Sequence, residues 1–211
     1  GDLIAFIDAD CIPDKNWLVE LVKPIRNEGD DYVTGLVKPI GGKSIHDARW
    51  KKMDKEKYRS EAGSANSIFK KKILSKIGSY DERFAAGSDK DFSWRAIDAG
   101  YKIRYNPKAI IFDDWGNLKQ EIKRAVRYAE AQVRLYKKHP NKWKNLLNYQ
   151  IDLFSIYSII YFIYIISLLP ITFIFPYYPL FILIPILKNI KRSPLKKIIF
   201  DFFWGYGVLK E

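Results

Sequence analysis

Apolar and polar residues alternate in blocks along the first half of the chain. Leu3-Ile4-Ala5-Phe6-Ile7 is an unbroken apolar run, which predicts a short strand of the kind covered on both faces in a parallel sheet. From Asn16 to Arg26, Leu18, Leu21, Val22 and Ile25 recur at helical spacing. Tyr32 to Val37 reads as a second strand, ended by Pro39 and Gly41-Gly42. Residues 43 to 62 are charged and show little periodicity, so a surface loop or loose helix is expected. Ser67-Ile68-Phe69 predicts a strand, Lys70 to Ile77 a helix stopped by Gly78, and Asp89 to Ala99 a helix entered through Gly87-Ser88 and stopped by Gly100. Lys102 to Tyr105 and Ala109 to Phe112 read as two strands flanking a turn at Asn106-Pro107. Strands that alternate with helices favour an α/β sandwich.

The pattern changes after residue 117. Leu118 to Lys138 predicts a long amphipathic helix with a stripe of Leu118, Ile122, Val126, Ala129, Val133 and Tyr136. From Leu153 to Leu187 no residue is charged. That run is too long for one bilayer crossing and about right for two short ones. Prolines and tyrosines cluster in its middle, from Pro170 to Pro179. The expectation is a hairpin, with spans near Leu153 to Leu169 and Pro179 to Ile190. A hairpin that enters and leaves one leaflet, or one buried in a soluble domain, fits the same run. Lysines and arginines on both sides predict that both ends are cytoplasmic. Ile198 to Trp204, preceded by Lys196-Lys197, is expected to lie in the membrane interface. The expected boundaries are 1–116, 117–145 for the basic helix, 146–190 for the hairpin and 191–211 for the interfacial segment.

Composition sharpens this division. The 211 residues include 36 Lys+Arg and 24 Asp+Glu, a net charge of +12, and 48% are apolar. So much apolar mass excludes a disordered chain, and the single Cys11 excludes a disulfide scaffold. The positive balance points to an anionic partner, and much of it lies between Lys119 and Lys144, where nine Lys/Arg face two Glu. Beside a membrane segment, that helix reads as one drawn to anionic head groups. No nucleic-acid recognition motif accompanies the charge, so nucleic acid is not an expected partner. The chain begins at Gly1 with a strand and no signal peptide, as a piece of a longer protein would.

The chemistry-bearing residues follow the first strand. Asp8 and Asp10 flank Ala9, and on an extended chain residues i and i+2 point to one side. Two carboxylates at the carboxyl end of a strand, where open α/β sheets bind ligands, suit Mg²⁺ or Mn²⁺ with diphosphate oxygens completing the shell. A solvated pair of turn residues is the simpler reading of such a short motif. In Ser88-x-x-Asp91 the spacing alone fits a capping box, with Asp89 favouring the helix dipole. His46 and His139 lie in polar surroundings and read as surface residues.

Taken together, five blocks resemble the family 2 glycosyltransferases of GT-A fold. Phe6-Ile7-Asp8-Ala9-Asp10 with Pro13 and Trp17-Leu18 is similar to their D-x-D strand and following helix. Gly63 to Lys70 resembles "G-x-N-x-x-F-R", Ile77 to Phe84 resembles "v-G-G-F-D-E-r-F", and Gly87 to Arg95 resembles "G-E-D-x-D-L-x-x-R". Gly100-Tyr101-Lys102-Ile103 with Pro107-Lys108-Ala109 continues the order. The resemblance implies a partial GT-A (Rossmann-like) domain lacking its N-terminal nucleotide-binding half. It implies a membrane-anchored, metal-dependent inverting transferase at the cytoplasmic face of the plasma membrane. The donor would be a nucleotide sugar (UDP- or GDP-sugar) and the acceptor a lipid-linked or cell-surface glycan. Asp89 would be the catalytic base, and Asp8 and Asp10 would hold Mg²⁺ or Mn²⁺. Asp113 would join them where the family often has a His. Asn66, Asp91, Arg95 and Arg127 would bind substrate. One carboxylate of the family's "E-D" is Ser88 here. A polyprenyl-phosphate acceptor, already ionised, would need no base. With its first strands lacking, the piece alone is expected to transfer no sugar. Two other classes compete: a haloacid-dehalogenase-type phosphohydrolase, which Cys11-Ile12-Pro13 fits poorly, and an inactive membrane-anchored remnant.

Overall fold

Side chains along two central strands alternate between two cores, and this alternation builds the α/β layers. The computed structural model describes residues 1–40, 56–114, 116–147, 153–188 and 194–211. His46, most of the loop expected over 43–62, and Lys191-Arg192 lie outside the described residues. The chain divides into two compact units, Gly1–Trp115 and Gly116–Glu211.

The first unit holds strands β1 (Leu3–Ile7), β2 (Ile12–Pro13), β3 (Tyr32–Pro39), β4 (Tyr58–Arg59), β5 (Asn66–Lys70) and β6 (Ile103–Asp113). Its helices are α1 (Trp17–Asn27), α2 (Lys72–Ile77) and α3 (Ser88–Asp98). The sheet order is β1-β5-β3-β6-β2, with β4 also on β6. Tyr32 and Phe69 pair across β3 and β5 and pack with Phe92, Ala96 and Ile103 on one face. Their neighbours Val33 and Ile68 pack with Leu21, Ile25 and Ala109 on the other, beneath α1. Each fully buried side chain of this kind contributes roughly 1.5–3 kcal/mol.

Two local expectations change. β1 pairs antiparallel with β5 and is only partly covered, so its apolar run does not mark a strand of a parallel sheet. The one parallel pair among the described strands is β3 with β6. Asn106-Pro107 does not separate two strands: β6 runs through, and its register against β3 jumps from Gly35↔Asn106 to Leu36↔Ile110. That bulge has partners elsewhere. Pro24 inside α1 has no N–H to offer the Glu20 carbonyl, and the Asn106 amide donates to that carbonyl instead at 2.8 Å. The Asn66 amide donates to the carbonyls of Leu36 (3.0 Å) and Ala109 (2.9 Å) across the bulge. A Cβ at Gly35 would come within 2.2 Å of the Ala109 carbonyl oxygen, so only glycine fits there.

The second unit contains α4 (Leu118–Lys138), a 3₁₀ stretch (Pro140–Leu147), α5 (Leu153–Ile174), a 3₁₀ turn (Tyr178–Ile182), α6 (Leu183–Lys188) and α7 (Pro194–Lys210). Asn117 caps α4 in a reciprocal box with Gln120, a signal the sequence reading passed over. The buried line of α4 runs through Ala125, Ala129, Gln132 and Leu135 rather than along the larger residues of the expected stripe. The reason lies on α7. Gly207 sits against the Val126 carbonyl and the Ala129 methyl, and Gly205 against the Ser158 carbonyl of α5, so these glycines let α7 approach both helices closely. The segment 194–210, expected in a membrane interface, forms a helix with Ile198, Phe200 and Asp201 buried.

The expected pair of spanning helices is also revised. The described residues of the second expected span form a 3₁₀ turn (Tyr178–Ile182) and a six-residue helix (Leu183–Lys188), too short to cross a bilayer. Side chains of α5 are described at 158–168 and 170–174. Among the described residues no helix is long and apolar enough to cross a membrane.

Candidate active site

The strand directions bring the predicted acids to one end of the sheet. β1, β3 and β6 run the same way, and β5 runs against them. The carboxyl ends of β1 and β6 therefore lie at the same edge as the loop that enters β5, the edge where α/β sheets place ligands.

Asp8 follows β1 directly, and the chain then turns: the Cys11 N–H donates to the Asp8 carbonyl at 3.0 Å. The motif is a tight turn, not an extended segment, so its two carboxylates are not set side by side by strand alternation. The turn feeds β2, whose Ile12 pairs with Phe112 of β6. This register puts Asp113 beside the turn. Ligand atoms of Asp10, Cys11 and Asp113 all lie within 4.8 Å of one another. Burial raises the pKa of Asp8, and the charge of Asp10 raises it further. Burial and the charges of Asp113, Asp8 and Asp10 push the Cys11 thiol up to about 11.

This donor set fits a hard divalent cation. The carboxylates repel one another, a cation would relieve that repulsion, and their oxygens match the preference of Mg²⁺ and Mn²⁺. Cys11 is the one member of the group that sequence reasoning passed over, although it adjoins Asp10.

Asp89 stands at the start of α3. The helix is entered through Gly87 in the left-handed region (φ +79°), and no side chain caps it, so the Ser88–Asp91 capping box does not form. The Asp89 carboxylate accepts the Lys90 N–H at 2.8 Å and the Ser64 N–H from the loop before β5. Burial raises its pKa and nearby Glu61 adds to the rise, while those N–H groups oppose it. Glu61 pairs with Lys90 at 3.1 Å, and the Lys90 ammonium lies over the Trp94 ring at 5.1 Å. Glu61 fell in a stretch without periodicity, so no sequence signal marked it.

The other predicted residues are placed differently. Asp91 is fully buried and receives the Arg95 Nε–H at 2.9 Å. Arg95 also donates to the carbonyls of Ile77 and Ser79, fastening the loop before Asp81 to α3. Asn66 is buried, bonded to the bulge and to the Trp17 indole N–H at 2.8 Å. These three side chains spend their hydrogen bonds on the fold. Arg127 lies on α4 of the second unit, with its guanidinium 5.6 Å from the Tyr128 ring.

Residues 1–93 match the profile of glycosyl transferase family 2. That match, together with the relatives below, supports a family 2 glycosyltransferase domain in the first part of the chain. A pre-mycofactocin glycosyltransferase of Mycobacterium tuberculosis (strain CDC 1551 / Oshkosh) is 26% identical over 155 residues, covering 67% of this chain and 33% of that protein. Glycosyltransferase AglE of Haloferax volcanii is 27% identical over 143 residues, covering 64% of this chain and 47% of that protein. The chain thus spans a third to about half the length of these relatives. A mannosyltransferase from Pyrobaculum calidifontis, solved with GDP-Man and Mn²⁺, superposes with a TM-score of 0.53 at 16% identity, over 67% of this chain and 40% of that one. That likeness shows an α/β fold of GT-A type.

Proposed function

We propose that this chain is part of an inverting glycosyltransferase that moves a sugar from a nucleoside-diphosphate sugar to a hydroxyl acceptor, with Asp89 as the base. The observation that carries the reading is the placement of two distinct acidic sites at one sheet edge: the Asp8/Asp10/Asp113 group and the half-buried Asp89.

Asp10 and Asp113, with Asp8 beside them, would hold Mg²⁺ or Mn²⁺. Such an ion supplies neutralising charge for the departing diphosphate. Asp89 accepts the acceptor's hydroxyl proton as the oxygen attacks the anomeric carbon. Its raised pKa makes it a stronger base than an ordinary aspartate once ionised, and the Lys90 and Ser64 N–H groups fix one orientation. Asp91 and Arg95 act as positioning residues, since their pair anchors α3 to the 77–79 loop. The mannosyltransferase solved with GDP-Man and Mn²⁺ supports a metal-bound nucleotide sugar as the donor class. The reading further places the reaction at a membrane, with a lipid-linked glycan as acceptor. The apolar, basic second unit supports that location.

The test is Asp89→Asn placed in the whole enzyme of which this chain is proposed to be part, in a transfer assay with nucleotide-sugar donor. The rate falls about 10²–10⁴-fold while donor binding is unchanged, the usual range for a lost general base. Unchanged transfer would instead favour an acceptor phosphate that arrives ionised. Asp8-dependent hydrolysis of a simple phosphomonoester would replace the transferase reading altogether.

A further inference from the structure

The second unit buries one side of α5 and leaves the other bare. Ser158 and Phe162 of α5 face α7, where Gly205 lies against both. Ile160, Ile163 and Ile166 point outward, each more than half exposed. The stripe widens at the end of the helix, where Phe173 and Ile174 are 89% and 86% exposed, and it continues through Tyr177, Ile184 and Leu187. An apolar surface of this continuity marks an interaction site.

The polar groups of this tip identify its partner. The Tyr164 hydroxyl donates to the carbonyls of Tyr178 and Pro179 (3.3 and 3.1 Å). Ser167 donates to the Tyr164 carbonyl at 2.8 Å, and its oxygen lies 2.8 Å from the Tyr178 hydroxyl. Thr172 donates back to the Leu168 carbonyl. Through the turn, the N–H groups of Phe175, Tyr178 and Leu180 reach the carbonyls of Ile171, Phe175 and Tyr177. The hydroxyls of Tyr164, Ser167, Thr172 and Tyr178 are bonded within the tip while hydrocarbon faces outward, an arrangement that suits a hydrocarbon solvent. Charge completes the case. Residues 116–211 carry fifteen Lys/Arg against five Asp/Glu, so +10 of the net +12 belongs to this unit. Lipid head groups of opposite sign match it.

We propose that the tip from Phe173 to Leu187 inserts into one leaflet of an anionic bilayer and returns without crossing it. Among the described residues, α6 after the turn is six residues long and no helix is long and apolar enough to cross. The inference deepens the membrane-side reading of the reaction and rests on it only for location. Its test is independent of sugar transfer.

The purified chain is floated with vesicles of phosphatidylcholine, with and without phosphatidylglycerol. It floats with the anionic vesicles and far less with the neutral ones. Phe173→Glu with Ile184→Glu reduces flotation roughly tenfold or more, because both side chains leave hydrocarbon. In a Cys11→Ser background, Tyr177→Cys is shielded from a membrane-impermeant maleimide supplied outside the vesicles or trapped within them. Labelling by the trapped reagent means the turn crosses and overturns the proposal. Labelling by the outer reagent at full speed means the turn is not inserted and overturns it equally. Monomers produced from a dimer by the double substitution, with flotation unchanged, make a second copy of the chain the occupant instead. Absence of flotation by the unaltered chain refutes the insertion alone and leaves the transferase reading, tested by Asp89→Asn, untouched.

Discussion

Asp89 and Tyr80 show how single side chains in one layer carry different duties. Glu61 helps hold the Asp89 pKa above the ordinary aspartate range, and only the ionised form accepts a proton. The acid limb of kcat/KM therefore lies above that range. Glu61→Gln removes the neighbouring negative charge and leaves the Lys90 ammonium nearby, so the limb moves to lower pH. A pH–rate profile of the variant checks this, and an unmoved or upward-moved limb contradicts it. The same elevation has a stability consequence. A carboxyl whose folded pKa is raised gains protons on folding, so its contribution favours the fold at low pH and weakens as pH rises through the folded value. Tyr80 stacks on Phe92 at 4.6 Å, yet its buried hydroxyl has no hydrogen-bond partner among the described residues. Tyr80→Phe removes that orphaned group and keeps the ring. It is expected to stabilise the first unit by about 1 kcal/mol, read from the urea midpoint. A loss of stability would show that the hydroxyl is satisfied in solution.

At the scale of elements, periodicity made β1, β3, β5 and the three helices of the first unit legible, because each places apolar residues at the spacing its layer needs. The bulge in β6 was not legible. Asn106-Pro107 carries a turn signal, and only Asn66 and Glu20, 40 and 86 residues away in sequence, turn it into a continuous strand. Asn66 read as a substrate ligand for the same reason: sequence marks a required side chain without saying whether it faces ligand or fold. Asn66→Ala leaves the carbonyls of Leu36 and Ala109 and the Trp17 indole unpaired inside the sheet. The expected loss is about 2–4 kcal/mol in a denaturant titration, at the upper end for a buried multidentate group. A change under 1 kcal/mol would show that the bulge holds itself together. In the second unit the helical period was correct but the facing side of α4 was not, because the glycines that decide it sit on α7.

At the scale of the molecule, the chain joins a nearly neutral α/β unit to a strongly basic helical one. Composition announced a divided chain, whereas strand direction and register gathered the acids at one edge. Spacing along β1 pointed to Asp8 and Asp10 together. The fold instead gathers Asp10, Cys11 and Asp113, through a turn and a two-residue strand that no pattern betrays. The central claim is that this acidic edge, through a divalent cation, holds a nucleotide sugar. Calorimetric titration of GDP- or UDP-sugar, with Mn²⁺ and then with EDTA, tests it on the unaltered protein and on Asp10→Asn/Asp113→Asn. The account predicts metal-dependent binding that the double substitution weakens at least about tenfold, the scale of a lost pair of charge-assisted contacts. Binding of equal strength in EDTA, or in the doubly substituted protein, would contradict it.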